Sequence, residues 1–193
     1  MSTNNTEFLL SRDASDALLA YLISQYTERS STPLGDATLQ RLCYFAEAVG
    51  VPLSFRFERC HYGPFSVDLP WAVGNLLVDD VIHNPSNDPT HPNYRAGPNM
   101  ETLLKRYAHA LDVYRADLDS VAEAFSRLSL NEMKVATALC YARVLCGEVD
   151  KLPPSKRKLI SWVNKMRKAQ FDKGTIAKVY DVLKNAGLLG FAK

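Results

Sequence analysis

Residues 100–128 carry apolar side chains at alternating spacings of three and four, and this pattern is the strongest constraint on how the 193-residue chain folds. An unbroken 3.5-residue period is typical of an α-helix with one continuous apolar stripe. A single helix of this length would extend for about 42 Å at about 1.5 Å per residue. It predicts either the central helix of the protein or the seam of a homo-oligomer. The stripe consists of Leu104, Tyr107, Leu111, Tyr114, Leu118, Val121, Phe125 and Leu128.

Helical periodicity and capping residues on both sides of this stripe predict a mainly α-helical chain with a small β component. Asp13 is a predicted N-cap, Gly50 a predicted C-terminal stop, and Ser129 with Glu132 form the capping-box pattern. The order helix, strand, helix, strand, loop and strand in the middle of the chain is winged-helix-like. The first predicted helix begins after Asp13. The other predicted helices cover 37–49, 66–80, 100–128, a segment after Ser129, 155–168 and 173–186. The predicted strands cover 55–62, 81–82 and 94–95, with a turn at Gly63-Pro64.

Charge is distributed unequally along the chain. The net charge of +2 combines 11 basic and 2 acidic residues in 151–193 with 12 basic and 19 acidic residues in 1–150, which are +9 and −7. Such asymmetry often indicates a charged partner. The predicted organisation is a helical part with a small β element (1–99), a long helix with a packing helix (100–150) and a basic helical segment (151–193), all in one compact domain.

The sequence lacks the signals that are typical of exported, membrane-spanning, catalytic and metal-binding proteins. The N-terminus lacks a basic start followed by an apolar run, and the longest apolar stretches are under ten residues, so we expect a cytoplasmic protein that does not enter a membrane. The four cysteines lack paired spacing and are predicted to be reduced thiols. Cys60 and His61 would point to opposite faces of a strand and so could not form a nucleophile–base pair. We therefore predict no enzyme activity, no metal and no cofactor.

The predicted third helix is apolar on two sides. Leu69, Val73 and Leu76, together with Leu77, form one stripe, and a second side carries other apolar residues. Such a helix is either buried between two layers or forms half of an interface. Large aromatic side chains dominate interface energetics, so Trp71 near Tyr62 is a suitable anchor for a protein partner. The candidate partner-binding residues are Tyr62, Pro64, Phe65, Trp71 and Val78.

The same region is unsuited to DNA reading, whereas the basic segment is suited to phosphate. No Lys or Arg occurs between Arg59 and Arg95, and four aspartates do. In contrast, cations crowd a predicted helix N-terminus at 156–158, where the helix dipole disfavours them. The chain's own acidic part, an acidic protein partner or phosphate could compensate them, and a solvated face explains the same charges. The candidate contacts are Lys156, Arg157, Lys158, Lys165, Arg167 and Lys168.

Two short motifs lie about fifteen residues apart. The first is Thr38-Leu39-Gln40-Arg41-Leu42-Cys43-Tyr44-Phe45-Ala46, and the second is His61-Tyr62-Gly63-Pro64-Phe65-Ser66 followed by Asp68-Leu69. Together they resemble the K-L-Q-K-L-x-Y-F-A helix and the W-x-Y-G-P-V strand-turn-helix of the Panacea domain, the SocA-like antitoxin family. Phe65 stands where the family often has Val.

This resemblance implies a non-catalytic antitoxin that neutralises a co-encoded protein toxin by direct contact. Some relatives in that family deliver the toxin to a protease, so an adaptor or scaffold subunit is one alternative. A nucleic-acid-binding regulator is the other alternative, using the basic segment and dimerising through the 104–128 stripe.

Overall fold

Helices dominate the computed structural model, which describes residues 10, 11, 13–60, 63–86, 88, 90–150, 154–166 and 170–189. Within these residues the chain forms eight α-helices and two antiparallel sheets of two strands each. The predicted mainly α fold with a short hairpin is confirmed. The helices are α1 (Ala14–Arg29), α2 (Asp36–Ala48), α3 (Asp68–Val78), α4 (Met100–Arg106), α5 (Ala108–Ser126), α6 (Leu130–Asp150), α7 (Lys156–Met166) and α8 (Lys173–Asn185). The strands are β1 (Glu58–Cys60), β2 (Gly63–Phe65), β3 (Ile82–His83) and β4 (Arg95–Ala96).

Helix α1 is buried on nearly all sides and lies at the centre of the fold. Leu18, Leu22 and Ile23 are each at most 1% exposed, and helices α2 to α5 all contact it. Its start is the predicted one, because the Asp13 carboxylate accepts the backbone N–H of Asp16 at 3.0 Å while the Asp16 carboxylate accepts that of Asp13. This reciprocal capping box satisfies two backbone donors that the helix leaves unpaired.

The predicted single helix over 100–128 is wrong, because the chain breaks at Tyr107 between α4 and α5. In α4 the buried residues are Met100 and Leu103 rather than Leu104. The break lets α4 bury a different face from the one that the stripe predicts, so the heptad pattern does not continue through α4. Leu111, Leu118, Val121 and Phe125 of the stripe are at most 1% exposed, while Tyr114 is half-buried, and α5 packs along α1 of the same chain. The stripe therefore forms an internal core face and not an exposed oligomer seam.

The strands form two short hairpins. β1 pairs with β2, with Glu58 opposite Phe65 and Cys60 opposite Gly63. The predicted turn at Gly63-Pro64 is wrong, since both residues belong to β2; proline is tolerated there because an edge strand leaves one side unpaired. β3 pairs with β4 within one residue of the predicted positions, with Ile82 opposite Ala96.

A buried amide fixes the start of α3 against α2. The side-chain N–H of Gln40 donates to the carbonyl of Ser66 at 3.0 Å, and the Gln40 carbonyl oxygen accepts the Ser66 backbone N–H at 2.9 Å. Gln40 is 6% exposed and Ser66 is fully buried. Because one side chain satisfies both backbone groups of Ser66, the junction between β2 and α3 is held in one orientation.

The other end of α3 is held by the Asp79 carboxylate. One of its oxygens accepts the backbone N–H groups of Leu10 and Ser11 at 2.9 and 2.5 Å, and the Asn99 side chain donates to the Asp79 carbonyl at 2.9 Å. The next turn is also tight, because a Cβ on Gly97 would lie 2.3 Å from the Asp80 carbonyl oxygen. Helix α3 is thus fixed at both ends.

The basic helices α7 and α8 pack on α6 and on each other. The predicted cap at Ser129 is confirmed, because Glu132 accepts the Ser129 N–H at 2.9 Å. Asp172 caps α8 by accepting the Thr175 N–H at 2.9 Å. Lys178 also reaches Glu132 at 2.7 Å, so this bond and the one from Ser129 lower the pKa of the Glu132 carboxyl. The Glu132 carboxylate therefore caps the start of α6 and also pairs with Lys178 of α8.

We expect Gln40→Leu to lower the free energy of unfolding by about 1–3 kcal/mol, because it leaves the buried N–H and carbonyl of Ser66 without partners. Urea unfolding measures the change, with the exposed Gln170→Leu as the matched control. A loss no larger than that of the control would contradict the proposed role of the amide.

Candidate protein-binding surface

The outer side of α3 carries an exposed apolar stripe. Val67, Trp71 and Val78 are 65%, 78% and 60% exposed, and Phe65 at the end of β2 is 42% exposed. At about 100° per residue, the three side chains on and beside α3 lie within about 40° of one another. We call Phe65, Val67, Trp71 and Val78 the α3 stripe.

The opposite side of α3 is in the core, so the helix is apolar on two sides, as predicted. Leu69, Val73 and Leu76 are between 0% and 5% exposed. Since hydrogen bonds hold both ends of α3, the helix cannot turn the stripe inward without losing them. The stripe is therefore a fixed feature of the surface and a candidate interaction site.

A cavity of about 400 Å³ lies between α2 and α3, beside the stripe. Pocket volumes of about 300–1,000 Å³ are usual for ligand sites. Phe65 contributes to both the cavity wall and the stripe, so the two are continuous. The main apolar lining residues are Leu39, Phe65, Leu69, Pro70, Val73 and Leu77.

The polar wall of the cavity is formed by Asp36, Gln40 and Tyr94. The Tyr94 hydroxyl donates to one Asp36 oxygen at 2.7 Å. Burial, together with this carboxylate, raises the pKa of Tyr94 well above its usual value, so the phenol remains the donor at neutral pH. Among the described residues that line the cavity, only Asp36 is charged.

The charges around the surface are acidic. Asp68 and Asp80 are exposed at the two ends of α3, and Asp36 is exposed at the cavity. No Lys or Arg occurs in residues 60–94 of the sequence, which include β2, α3 and β3. This surface would repel nucleic acid and would favour an apolar protein surface with basic residues around it.

Only part of the predicted partner-binding set lies on the stripe. Phe65, Trp71 and Val78 are exposed there, whereas Pro64 is buried in β2 and does not reach the surface. Tyr62 lies outside the described residues. The proximity of Tyr62 to Trp71 therefore stays a prediction.

The basic segment compensates part of its charge within the chain. Lys156 binds both oxygens of Asp181 at 2.6 and 2.7 Å and lies over the Tyr180 ring at 5.3 Å from its centre. Arg157 and Lys165 are exposed on α7, as is Lys158. Arg167 and Lys168 lie outside the described residues. Lys156 is therefore compensated by an acid of the basic segment itself and not by the acidic part of the chain.

Of the described thiols, Cys43 is buried and Cys140 is half-buried, and both are protonated. Burial raises the pKa of Cys43 well above its usual value and also raises that of Cys140, which donates a hydrogen bond to the Tyr44 hydroxyl at 3.6 Å. Both are free cysteines, as predicted. The side chains of Cys60 and Cys146 lie outside the described part.

A cluster of metal ligands and a membrane-crossing helix are both absent from the described residues. No group of three or more His, Cys, Asp and Glu side chains there is placed to hold a metal ion. In the same part of the chain, no helix combines the length and the apolar character needed to cross a bilayer.

Sequence reasoning missed the cavity and its polar wall. Asp36 and Tyr94 are 58 residues apart, and only the tertiary structure brings them together. Gly74 was the available signal, because glycine inside a helix is unfavourable unless something must approach closely. It lies on the cavity wall next to the stripe, and a Cβ built there meets nothing within 4 Å.

No family model matches the chain, and the search of curated proteins found no match. The resemblance of residues 38–46 and 61–69 to the Panacea domain therefore stays a prediction.

We expect Gly74→Ala to raise the free energy of unfolding by about 0.5–1 kcal/mol, since alanine is the better helix former and the new methyl group has open space. Gly97→Ala is the matched variant with the opposite expected effect. Its Cβ would clash with the Asp80 carbonyl, so we expect it to lower the free energy of unfolding by about 1–3 kcal/mol. Thermal and urea unfolding of both variants test the pair. A loss of stability in Gly74→Ala would show that the space beside it is already filled.

Proposed function

We propose that this protein is a non-catalytic antitoxin that neutralises a co-encoded protein toxin by direct contact through the α3 stripe. One observation carries the proposal: a helix held at both ends exposes Trp71 at 78% with further apolar side chains beside it. Trp is among the residues most enriched at interface hot spots. The resemblance of the two motifs to the Panacea domain supplies the class of partner.

The position of the motifs supports the same proposal. The helix motif contains Gln40 and the strand-turn-helix motif contains Ser66, and these two residues form the buried hydrogen-bonded pair. The motifs that resemble the family therefore build the part of the fold that presents Trp71. Protease delivery is a variant of this function, in which the bound toxin is degraded instead of blocked.

We expect Trp71→Ala to weaken toxin binding by about 2 kcal/mol or more, which is roughly 30-fold, because it removes the largest exposed anchor. The protein from the neighbouring reading frame is expressed alone and with each variant, and growth and co-purification are measured. Val113→Ala is the matched control, since Val113 is an exposed apolar residue on α5. Circular dichroism shows whether each variant is folded.

Two results would contradict this function: no partner co-purifies with the wild-type protein, or Trp71→Ala restores growth as well as the wild type does. The level of the toxin in the cell distinguishes blocking of the toxin from its delivery to a protease. It stays constant if the toxin is blocked and falls if the toxin is delivered to a protease.

A second candidate function, nucleic-acid binding, is favoured by the outer face of α7. Arg157, Lys158 and Lys165 are exposed there, opposite the buried Leu159 and Val163. At about 100° per residue these cations lie within about 100° of one another. Such a basic face can neutralise phosphates and release their counterions.

Replacing Arg157 and Lys165 with Glu separates this candidate from the first. The matched control replaces Arg127 and Lys134, an exposed Arg and Lys outside the basic segment. We expect wild-type binding to duplex DNA or RNA to weaken steeply with salt, and the α7 variant to reduce the salt slope by about 1 for each lost phosphate contact. Equal binding by both variants, or no binding at low ionic strength, would remove this candidate.

A further inference from the structure

The cavity between α2 and α3 is open where Gly74 lacks a side chain. Gly74 lies inside α3, on the cavity wall and about 20° around the helix from Val67. Glycine in a helix interior costs about 0.5–1 kcal/mol relative to alanine. Nothing lies within 4 Å of the Cβ that alanine would add, so the fold itself does not require glycine. The missing side chain leaves a passage from the α3 stripe into the cavity.

An acidic residue, Asp36 at the start of α2, lies on the cavity wall. Asp36 is exposed, and the Tyr94 hydroxyl donates to only one of its two carboxylate oxygens. The pair leaves the cavity with an apolar floor and an anionic edge. A group that fills the floor and places a cation at the edge would match both.

The surrounding charges favour the same occupant. Asp68 and Asp80 are exposed at the ends of α3, and residues 60–94 supply no Lys or Arg to oppose a cation. An acidic occupant would meet the like charge of Asp36 at the cavity and those of Asp68 and Asp80 at the ends of α3. Charge complementarity of this kind selects partners and speeds their association.

We infer that the cavity receives an apolar side chain of the partner protein, with a neighbouring Lys or Arg of the partner paired with Asp36. The partner backbone crosses α3 at Gly74, where no side chain obstructs it. This inference rests on the proposed function, because the partner is the protein that contacts the α3 stripe. It adds to that function the chemistry of the segment that binds: a large apolar residue flanked by a basic residue.

A phage-displayed library of random 16-residue peptides tests the inference without knowledge of the toxin. The library is selected on the wild-type protein, and the enriched peptides are measured against Gly74→Leu, Gly74→Ala and Asp36→Asn. We expect enriched sequences to carry Leu, Phe or Met with Lys or Arg within one helical turn. Gly74→Leu should weaken them about tenfold or more by filling the passage. Gly74→Ala should bind nearly as well as the wild type.

Asp36→Asn keeps an acceptor for Tyr94 and removes the charge. It should weaken basic peptides by about 2- to 5-fold at low salt, and the difference should shrink as salt is added. The inference is overturned if no peptide is enriched, if the enriched peptides lack basic residues, or if Gly74→Leu binds them as the wild type does.

Failure of the cavity site and failure of the proposed antitoxin function give different results. Peptides that depend on Gly74 and Asp36, together with no growth rescue in co-expression, would retain the cavity site and reject the antitoxin role. Growth rescue that requires Trp71 but is unaffected by Gly74→Leu would retain the antitoxin role and reject the cavity site.

Discussion

The burial of α1 is the constraint on which the rest of the structure depends. Its apolar residues occupy nearly every side of the helix, so no single partner element can remove them from water. Helices α2 to α5 therefore surround it, and α5 covers the longest part of it. Polar groups lie at the edge of the contact between α1 and α5, where the Tyr21 hydroxyl donates to Asp119 and accepts from Arg115.

This arrangement leaves α3 at the edge of the core, with one apolar side inside and one outside. Gln40 binds the backbone of Ser66 before α3, the Asp79 carboxylate after α3 binds the backbone of Leu10 and Ser11, and these contacts determine which side of α3 faces outward. A helix held by buried hydrogen bonds cannot hide Trp71 by a small rotation, because a buried unpaired group costs about 1–3 kcal/mol. The same contacts that complete the fold thus maintain the exposed surface proposed for binding.

The two charged parts of the chain have different roles in the structure. The acidic surface around α3 contains no opposing Lys or Arg from residues 60–94, so its charge is available to a partner. The basic segment is partly neutralised by contacts within the chain, with Lys156 on Asp181 and Lys178 on Glu132. The small net charge of the chain conceals this difference.

The sequence by itself determined most of the helices, the caps at Asp13 and Ser129 and the two-sided character of α3, because these depend on local periodicity and on side chains within three or four residues of one another. It could not determine where the heptad pattern breaks at Tyr107. Apolar spacing records which residues are buried and says nothing about the continuity of the helix. Only the tertiary structure brought Asp36, Gly74 and Tyr94 around one cavity, since residues on α2, on α3 and before β4 meet only after the chain has packed around α1.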